Sequence, residues 1–153
     1  MSVESNPANA YLRTRVMTAS PEQLRLMLLD GAIKFARQGR EGLASKDYEA
    51  SYNGISQSRN IVLELLTSIR PEHDPELCDR VKAVYTFMYS EMVSASMEKS
   101  VARLDRVIQL LEYARETWSM LLDQLAKERG APPAAAAPIQ GNRDAGAAIS
   151  VQA

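Results

Sequence analysis

The stretch SPEQLRLMLLDGAI, residues 20–33, decides the fold because it joins a complete helix start to an apolar pattern of helical period. Ser20 is placed to cap a helix, a proline fits the first helical position, and Gln23 stands three residues after the cap, which is the capping-box arrangement. The pattern predicts a helix from residue 21 to about residue 43, where Gly39 and Gly42 weaken it.

Three further helices are predicted by the same signals. Asp47, Asp74 and Ser100 each stand where a helix cap is expected, and the proline after Asp74 repeats the first start. The predicted helices span residues 48–69, 75–95 and 101–128. No stretch alternates with a period of two residues, so no strand is predicted. Matched lengths and short connections favour an all-α fold, an antiparallel up-and-down four-helix bundle over residues 20–129.

The two ends of the chain differ from this bundle domain. Residues 1–19 begin as a polar stretch and then carry four apolar residues, Tyr11, Leu12, Val16 and Met17. A segment this short is not expected to form a stable helix alone and must pack against something. Residues 130–153 are rich in Ala, Pro, Gly and Gln, a composition that predicts a disordered tail.

Composition excludes several classes of function. The 153 residues hold 18 Lys and Arg against 19 Asp and Glu, which gives no basic patch for nucleic acid or a membrane surface. With one Cys and one His, the chain lacks the usual ligands of zinc and iron sites. No signal peptide or apolar run of membrane length is visible. We therefore expect a cytoplasmic protein without membrane insertion, metal, cofactor or catalytic site.

The two residues most open to a catalytic interpretation are His73 and Cys78. His73 lies between two acidic residues in a predicted loop, where a solvated side chain is the ordinary expectation. Cys78 is expected to be a small buried residue near the start of the third predicted helix, and no His accompanies it there.

Two predicted helices are apolar over more of their surface than a bundle requires. On the first, Leu24, Met27, Leu28 and Phe35 form one stripe, and Leu26, Leu29, Ile33 and Ala36 form a second. We interpret Leu28 as core. On the third, Tyr85, Tyr89 and Val93 widen the core stripe to one side. Either all these residues pack in the core, or they form a second apolar face for a partner segment, to which the seven Met residues would lend adaptability.

Two strings resemble the flagellar export chaperone FliS family. The first includes Tyr11 and runs through Thr18-Ala19-Ser20-Pro21 to Met27-Leu28-Leu29-Asp30-Gly31-Ala32-Ile33, and the second is Arg115-Glu116-Thr117-Trp118. The resemblance covers about residues 8–128. It departs at Leu29, where the family usually has Tyr, and in a tail longer than the family norm.

The resemblance implies an antiparallel helical bundle in the bacterial cytoplasm. Such a protein binds the C-terminal region of flagellin, prevents its premature polymerisation and assists its export for filament assembly, without catalysis. It also implies that Tyr11, Leu12, Val16 and Met17 belong to a mobile cap, residues 1–19, over part of the client surface. An export-gate component is a further expected partner, and a homodimer without client stays open.

Combined with the surplus apolar faces, this resemblance nominates five flagellin-binding residues: Leu29, Ile33, Tyr85, Tyr89 and Val93. The alternative function is a homo-oligomeric helical-bundle adaptor or signalling protein that does not bind flagellin.

Overall fold

The computed structural model describes residues 7–70 and 74–130, and these residues are helical with no strand among them. The described part contains five helices: α1 (Pro7–Thr18), α2 (Pro21–Ala44), α3 (Tyr48–Thr67), α4 (Pro75–Glu98) and α5 (Val101–Glu128). The all-α prediction is confirmed, and the predicted ends of α2–α5 are within three residues of the observed ones. The predicted tail after residue 130 and the loop position of His73 lie outside the described residues.

All four predicted helix caps are present. The Ser20 hydroxyl accepts a hydrogen bond from the backbone N–H of Gln23, and the Gln23 side chain accepts one from the backbone N–H of Ser20, both at 3.1 Å. Asp47, Asp74 and Ser100 each accept from the backbone N–H three residues further on. Because a cap satisfies a backbone donor that the helix itself cannot, these residues determine where α2–α5 begin.

The sequence prediction missed α1. Pro7 occupies its first position, and the hydroxyls of Thr14 and Thr18 donate to backbone carbonyls one turn earlier. None of its residues is buried. Short length argues against an isolated helix but does not exclude one within a longer chain.

The chain divides into two compact units. Residues 28–118 form one of them, and the described parts of both ends, residues 7–27 and 119–130, belong to the other. Within residues 28–118, α2, α3, α4 and α5 all contribute to one apolar core. Its largest fully buried apolar side chains are Leu29, Ile55, Leu65, Met88, Met92, Leu104 and Leu111. Two of the methionines are therefore core residues.

The structure reverses the predicted orientation of the two stripes on α2. All four residues of the second stripe, including Leu29 and Ile33, are buried, whereas Leu28 and the rest of the first stripe are half-buried. Periodicity identifies residues that share a face, but two stripes of similar hydrophobicity give no sign of which one turns inward.

The backbones of α2 and α3 cross in close contact, and this contact constrains how the two helices pack. A methyl group added at Gly54 would stand 2.5 Å from the Gly39 backbone nitrogen and 2.7 Å from the Phe35 carbonyl oxygen. One added at Gly42 would stand 2.5 Å from the Ser51 backbone nitrogen. Gly39 and Gly42, which the sequence analysis noted only as weakening α2, therefore allow the α2 backbone to touch α3.

A hydrogen bond reinforces the crossing of α2 and α3, and a series of ion pairs joins α2 to α5. The buried Ser58 hydroxyl donates to the Ala32 carbonyl oxygen at 2.7 Å, which joins α3 to α2. Between α2 and α5, ion pairs link Asp30 to Arg115, Arg37 to Glu112 and Arg40 to Asp105. Residue numbers rise along α2 as they fall along α5, so these two helices run antiparallel.

The glycine crossing predicts that the same substitution has opposite effects at two positions. Gly54→Ala should lower the free energy of unfolding by about 1–3 kcal/mol, because the new methyl group meets rigid backbone. At Gly31 the methyl group would meet the flexible end of Ile61 at 3.3 Å. Gly31→Ala should therefore be neutral or stabilising by up to about 1 kcal/mol. Urea unfolding of both variants checks this, and a Gly54→Ala protein as stable as the parent would contradict the crossing.

The orientation of the two stripes predicts that truncating adjacent leucines lowers the free energy of unfolding by unequal amounts. Leu29→Ala should lower the free energy of unfolding by about 2–5 kcal/mol, because Leu29 is fully buried and its truncation leaves a cavity. Leu28→Ala should cost clearly less, since Leu28 is half-buried. Chemical denaturation of the two variants measures the difference. A larger loss of stability in Leu28→Ala than in Leu29→Ala would support Leu28 as the core residue.

Candidate binding surface

The described residues give neither a metal-binding cluster nor a membrane-spanning helix. No group of three or more His, Cys, Asp or Glu side chains within residues 7–70 and 74–130 could hold a metal ion. In the same ranges, no helix combines the length and apolar character needed to cross a membrane. Cys78 is half-buried, and its thiol donates to the Arg70 carbonyl oxygen at 3.0 Å.

The four residues nominated for the cap lie on α1. Tyr11, Leu12, Val16 and Met17 are all exposed. The Arg15 guanidinium lies 6.0 Å from the centre of the Tyr11 ring. Their role as a cap stays a prediction.

The five nominated flagellin-binding residues separate into two groups. Leu29, Ile33 and Tyr85 are buried members of the core, whereas Tyr89 and Val93 are half-buried on α4. Sequence periodicity could not separate them, because all five belong to wide apolar faces. In this structure a partner can reach Tyr89 and Val93, while the other three stabilise the fold.

Tyr89 and Val93 lie beside a stripe of α3 that the sequence analysis did not nominate. Tyr52, Ser56, Arg59 and Leu63 recur at intervals of four, three and four residues, so they share one face of α3. The Arg59 guanidinium carbon lies 5.7 Å from the centre of the Tyr89 ring, which places this stripe against α4. We call these four residues, together with Tyr89 and Val93, the α3/α4 surface.

The α3/α4 surface is apolar at its edges and incompletely bonded at its centre. Tyr52 and Leu63 are exposed, although both are large apolar side chains. Between them, the Ser56 hydroxyl oxygen and the Arg59 Nε atom are buried and have no hydrogen-bond partner among the described residues. Buried polar atoms are normally bonded, so these two atoms are imperfectly satisfied within the protein, and exposed apolar side chains lie beside them.

The seam between α2 and α5 has the opposite character. A shallow open depression of about 400 Å³ lies there, and six of its seven lining residues are charged: Asp30, Lys34, Arg37, Glu112, Arg115 and Glu116. The three ion pairs between these helices run along the same seam. The Asp105 carboxylate also raises the pKa of Arg40 above its ordinary value, mainly through their hydrogen bond. A charged, internally paired seam offers little to an apolar helix.

Charges also meet between α4 and α5. The buried Glu91 carboxylate accepts from Arg103 at 2.8 Å and lies 3.6 Å from Arg106, and Arg103 also pairs with Glu98. The acidic partners raise the pKa of Arg103, with Glu98 as the largest cause. On this side of α4, Leu77, Val84 and Phe87 are exposed and form a second apolar stripe.

A signal for the α3 stripe was present in the sequence. The helical spacing of Tyr52, Arg59 and Leu63 is visible in the printed residues. Spacing alone does not distinguish this stripe, because an arginine at such a position is typical of an ordinary solvent-exposed helix face. The partners of an arginine are not encoded by spacing, so its unpaired state required the structure.

The described residues form helices with an apolar surface between α3 and α4, an arrangement typical of the class of helical proteins that recognise a helix in a groove. Comparison with known proteins narrows this class. A family model described as flagellar protein FliS matches residues 4–125, which is more than half of the chain. The chain therefore belongs to the FliS family.

Curated relatives agree with the family model. The flagellar secretion chaperone FliS of Bacillus subtilis is 29% identical over 124 residues, covering 81% of this chain and 92% of the relative. The protein of the same name from Salmonella typhimurium is 27% identical over 115 residues, covering 74% and 85%. The one from Campylobacter jejuni is 24% identical over 110 residues, covering 72% and 86%. The resemblance stated from the sequence is thereby confirmed.

Proposed function

We propose that this protein is a chaperone for flagellin: it binds the C-terminal region of flagellin, prevents premature polymerisation and assists export for filament assembly. The observation that carries this proposal is the α3/α4 surface, which leaves the large apolar side chains of Tyr52 and Leu63 exposed beside an arginine that has no acidic partner among the described ion pairs. The curated relatives, named as flagellar secretion chaperones, support the same function.

The scaffold in this proposal is an antiparallel up-and-down four-helix bundle of α2–α5. Its support is the shared core of these helices, the opposite residue order of the α2–α5 ion pairs and the close α2–α3 crossing. A rigid bundle presents a fixed row of side chains, so a flexible client can fold against it as a helix.

The mechanism requires no covalent step. A flagellin segment that becomes helical buries its apolar face on the α3/α4 surface, and the second stripe of Leu77, Val84 and Phe87 gives additional contact area if the segment wraps around α4. Residues that would pack subunits together in a filament are then covered. The protein would act in the bacterial cytoplasm and deliver the complex to an export-gate component.

The proposal predicts tight binding of flagellin's C-terminal segment. Calorimetric titration with the flagellin of the same organism should give one-to-one binding with a Kd of about 1 µM or lower. The heat-capacity change should be negative, because apolar surface is buried and a helix forms. Absence of binding, combined with a stable homo-oligomer in sedimentation, would favour the adaptor alternative.

A matched pair of leucines localises this binding. Leu63 on the α3/α4 surface is 43% exposed, and Leu121 on α5 is 44% exposed. Leu63→Ser should weaken flagellin binding about tenfold, a typical loss for one buried leucine contact, while Leu121→Ser should leave it nearly unchanged. Both variants should unfold at the parent's urea concentration. Equal affinities for the two variants would place the client elsewhere.

We also propose that the segment containing Tyr11, Leu12, Val16 and Met17 acts as a cap that competes with flagellin. Deletion of residues 1–18 should then increase both the binding of an apolar dye and the affinity for flagellin, in proportion to how often the cap is closed. Fluorescence titrations of the full chain and the truncated chain measure both effects. Arg13→Ala in the full chain is the control, and unchanged dye binding and affinity after the deletion would exclude a cap.

A further inference from the structure

Arg59 differs from the other arginines that join helices within residues 28–118. Arg37, Arg40, Arg103 and Arg115 each form an ion pair with a carboxylate of another helix. Arg59 is half-buried between α3 and α4, yet none of the ion pairs found within the described ranges includes it. Its guanidinium instead lies over the Tyr89 ring.

The sequence around this position explains why Arg59 has no acidic partner. The residues one turn before and after it on α3 are Ile55, Ser56, Val62 and Leu63. The residues one turn before and after Tyr89 on α4 are Tyr85, Thr86, Met92 and Val93. None carries a carboxylate. The positions one turn away on either helix thus supply no counter-charge to Arg59, and its Nε donor is buried and unbonded.

Such a group is poorly compensated in the free protein and well suited to a ligand. A partly buried cation loses hydration, and contact with an aromatic ring restores only part of it. A carboxylate can bond two N–H groups of one guanidinium in parallel, which is among the strongest hydrogen-bonded pairs in proteins. Ser56, one turn earlier on the same stripe, adds a second unbonded polar group.

We propose that Arg59 is the residue by which the α3/α4 surface recognises an acidic side chain of its client. The occupant is an amphipathic helix that covers Tyr52, Leu63 and Val93 with its apolar face and places one carboxylate, at the border of that face, on Arg59. Apolar contacts supply most of the affinity, and the ion pair fixes the helix register. This inference rests on the proposed flagellin-binding function and specifies which residue recognises an acidic side chain of flagellin.

The test is a set of calorimetric titrations of the full chain with the C-terminal segment of the organism's flagellin. Arg59→Met keeps an apolar stem and removes the charge, so it should weaken binding about tenfold. Arg59→Lys keeps the charge without the planar fork and should recover part of the loss. Arg37→Met is the matched control, because Arg37 is an exposed arginine of the α2/α5 seam already paired with Glu112, and its affinity should equal the parent's.

Neutralising the flagellin acids one at a time identifies the partner carboxylate. One Asp→Asn or Glu→Gln change should weaken binding to the parent protein and have no further effect on Arg59→Met. Raising the salt concentration should weaken the parent complex more than the Arg59→Met complex. Thermal unfolding of Arg59→Met and Arg59→Lys should occur at or above the parent temperature, because the unbonded Nε is removed or replaced by a flexible ammonium group.

The possible results separate the two proposals. If the parent protein does not bind the segment, the flagellin-binding function itself fails. If the parent binds and Arg59→Met binds equally well, the function stands and the role of Arg59 is overturned. Equal losses in every acidic variant, or a reduced melting temperature that Arg59→Lys restores without restoring affinity, would show a structural role for Arg59 instead.

Discussion

The backbone contact between α2 and α3, where Gly39 meets Gly54, is the constraint from which the remaining geometry follows. Helices normally stay 8–10 Å apart because side chains separate them, and glycines remove that separation. Once the two backbones touch, the rotation of each helix is fixed. On α2, Leu28 then lies within about 20° of the Gly39 face and Leu29 about 80° around from it, at 100° per residue, and Leu29 is the buried one of the two. On α3 the contact directs Gly54 and Ser58 toward α2.

The same rotation produces the binding surface. Gly54 and Arg59 are separated by about 140° around α3, at 100° per residue. When Gly54 faces α2, Arg59 must therefore face away from α2, and its contact with the Tyr89 ring shows that it faces α4. Tyr52, Ser56 and Leu63 follow Arg59 because they share its face. The exposed residues of α3 in the α3/α4 surface therefore share one orientation, which follows from the glycine crossing.

Helix starts were predictable from the sequence, whereas helix faces were not. Ser20, Asp47, Asp74 and Ser100 act through hydrogen bonds to residues three positions away, so local sequence contains the whole interaction. The inward stripe of α2 depends on how α2 packs against the other helices of the core, and no local pattern specifies that packing. For the same reason, Tyr85 and Tyr89 looked equivalent in the sequence, although Tyr85 is buried in the core and Tyr89 lies under Arg59.

The distribution of charge distinguishes surfaces that close the fold from one that remains open to a partner. Exposed ion pairs contribute little to stability, but they satisfy both charges and make it costly to insert an apolar helix between them. The charges of the α2/α5 seam are paired in this way, and the Glu91 carboxylate lies beside Arg103 and Arg106, although its Oε1 atom accepts no hydrogen bond from the described residues. At Arg59 the complementary charge is missing from the described residues, while apolar side chains surround the site. A client that supplies this charge is recognised mainly by the register in which its helix binds. A helix shifted by one residue turns its carboxylate about 100° away from Arg59 and loses the ion pair. A chaperone of this kind can hold one helical segment firmly through apolar contact and still discriminate against other apolar helices through a single cation.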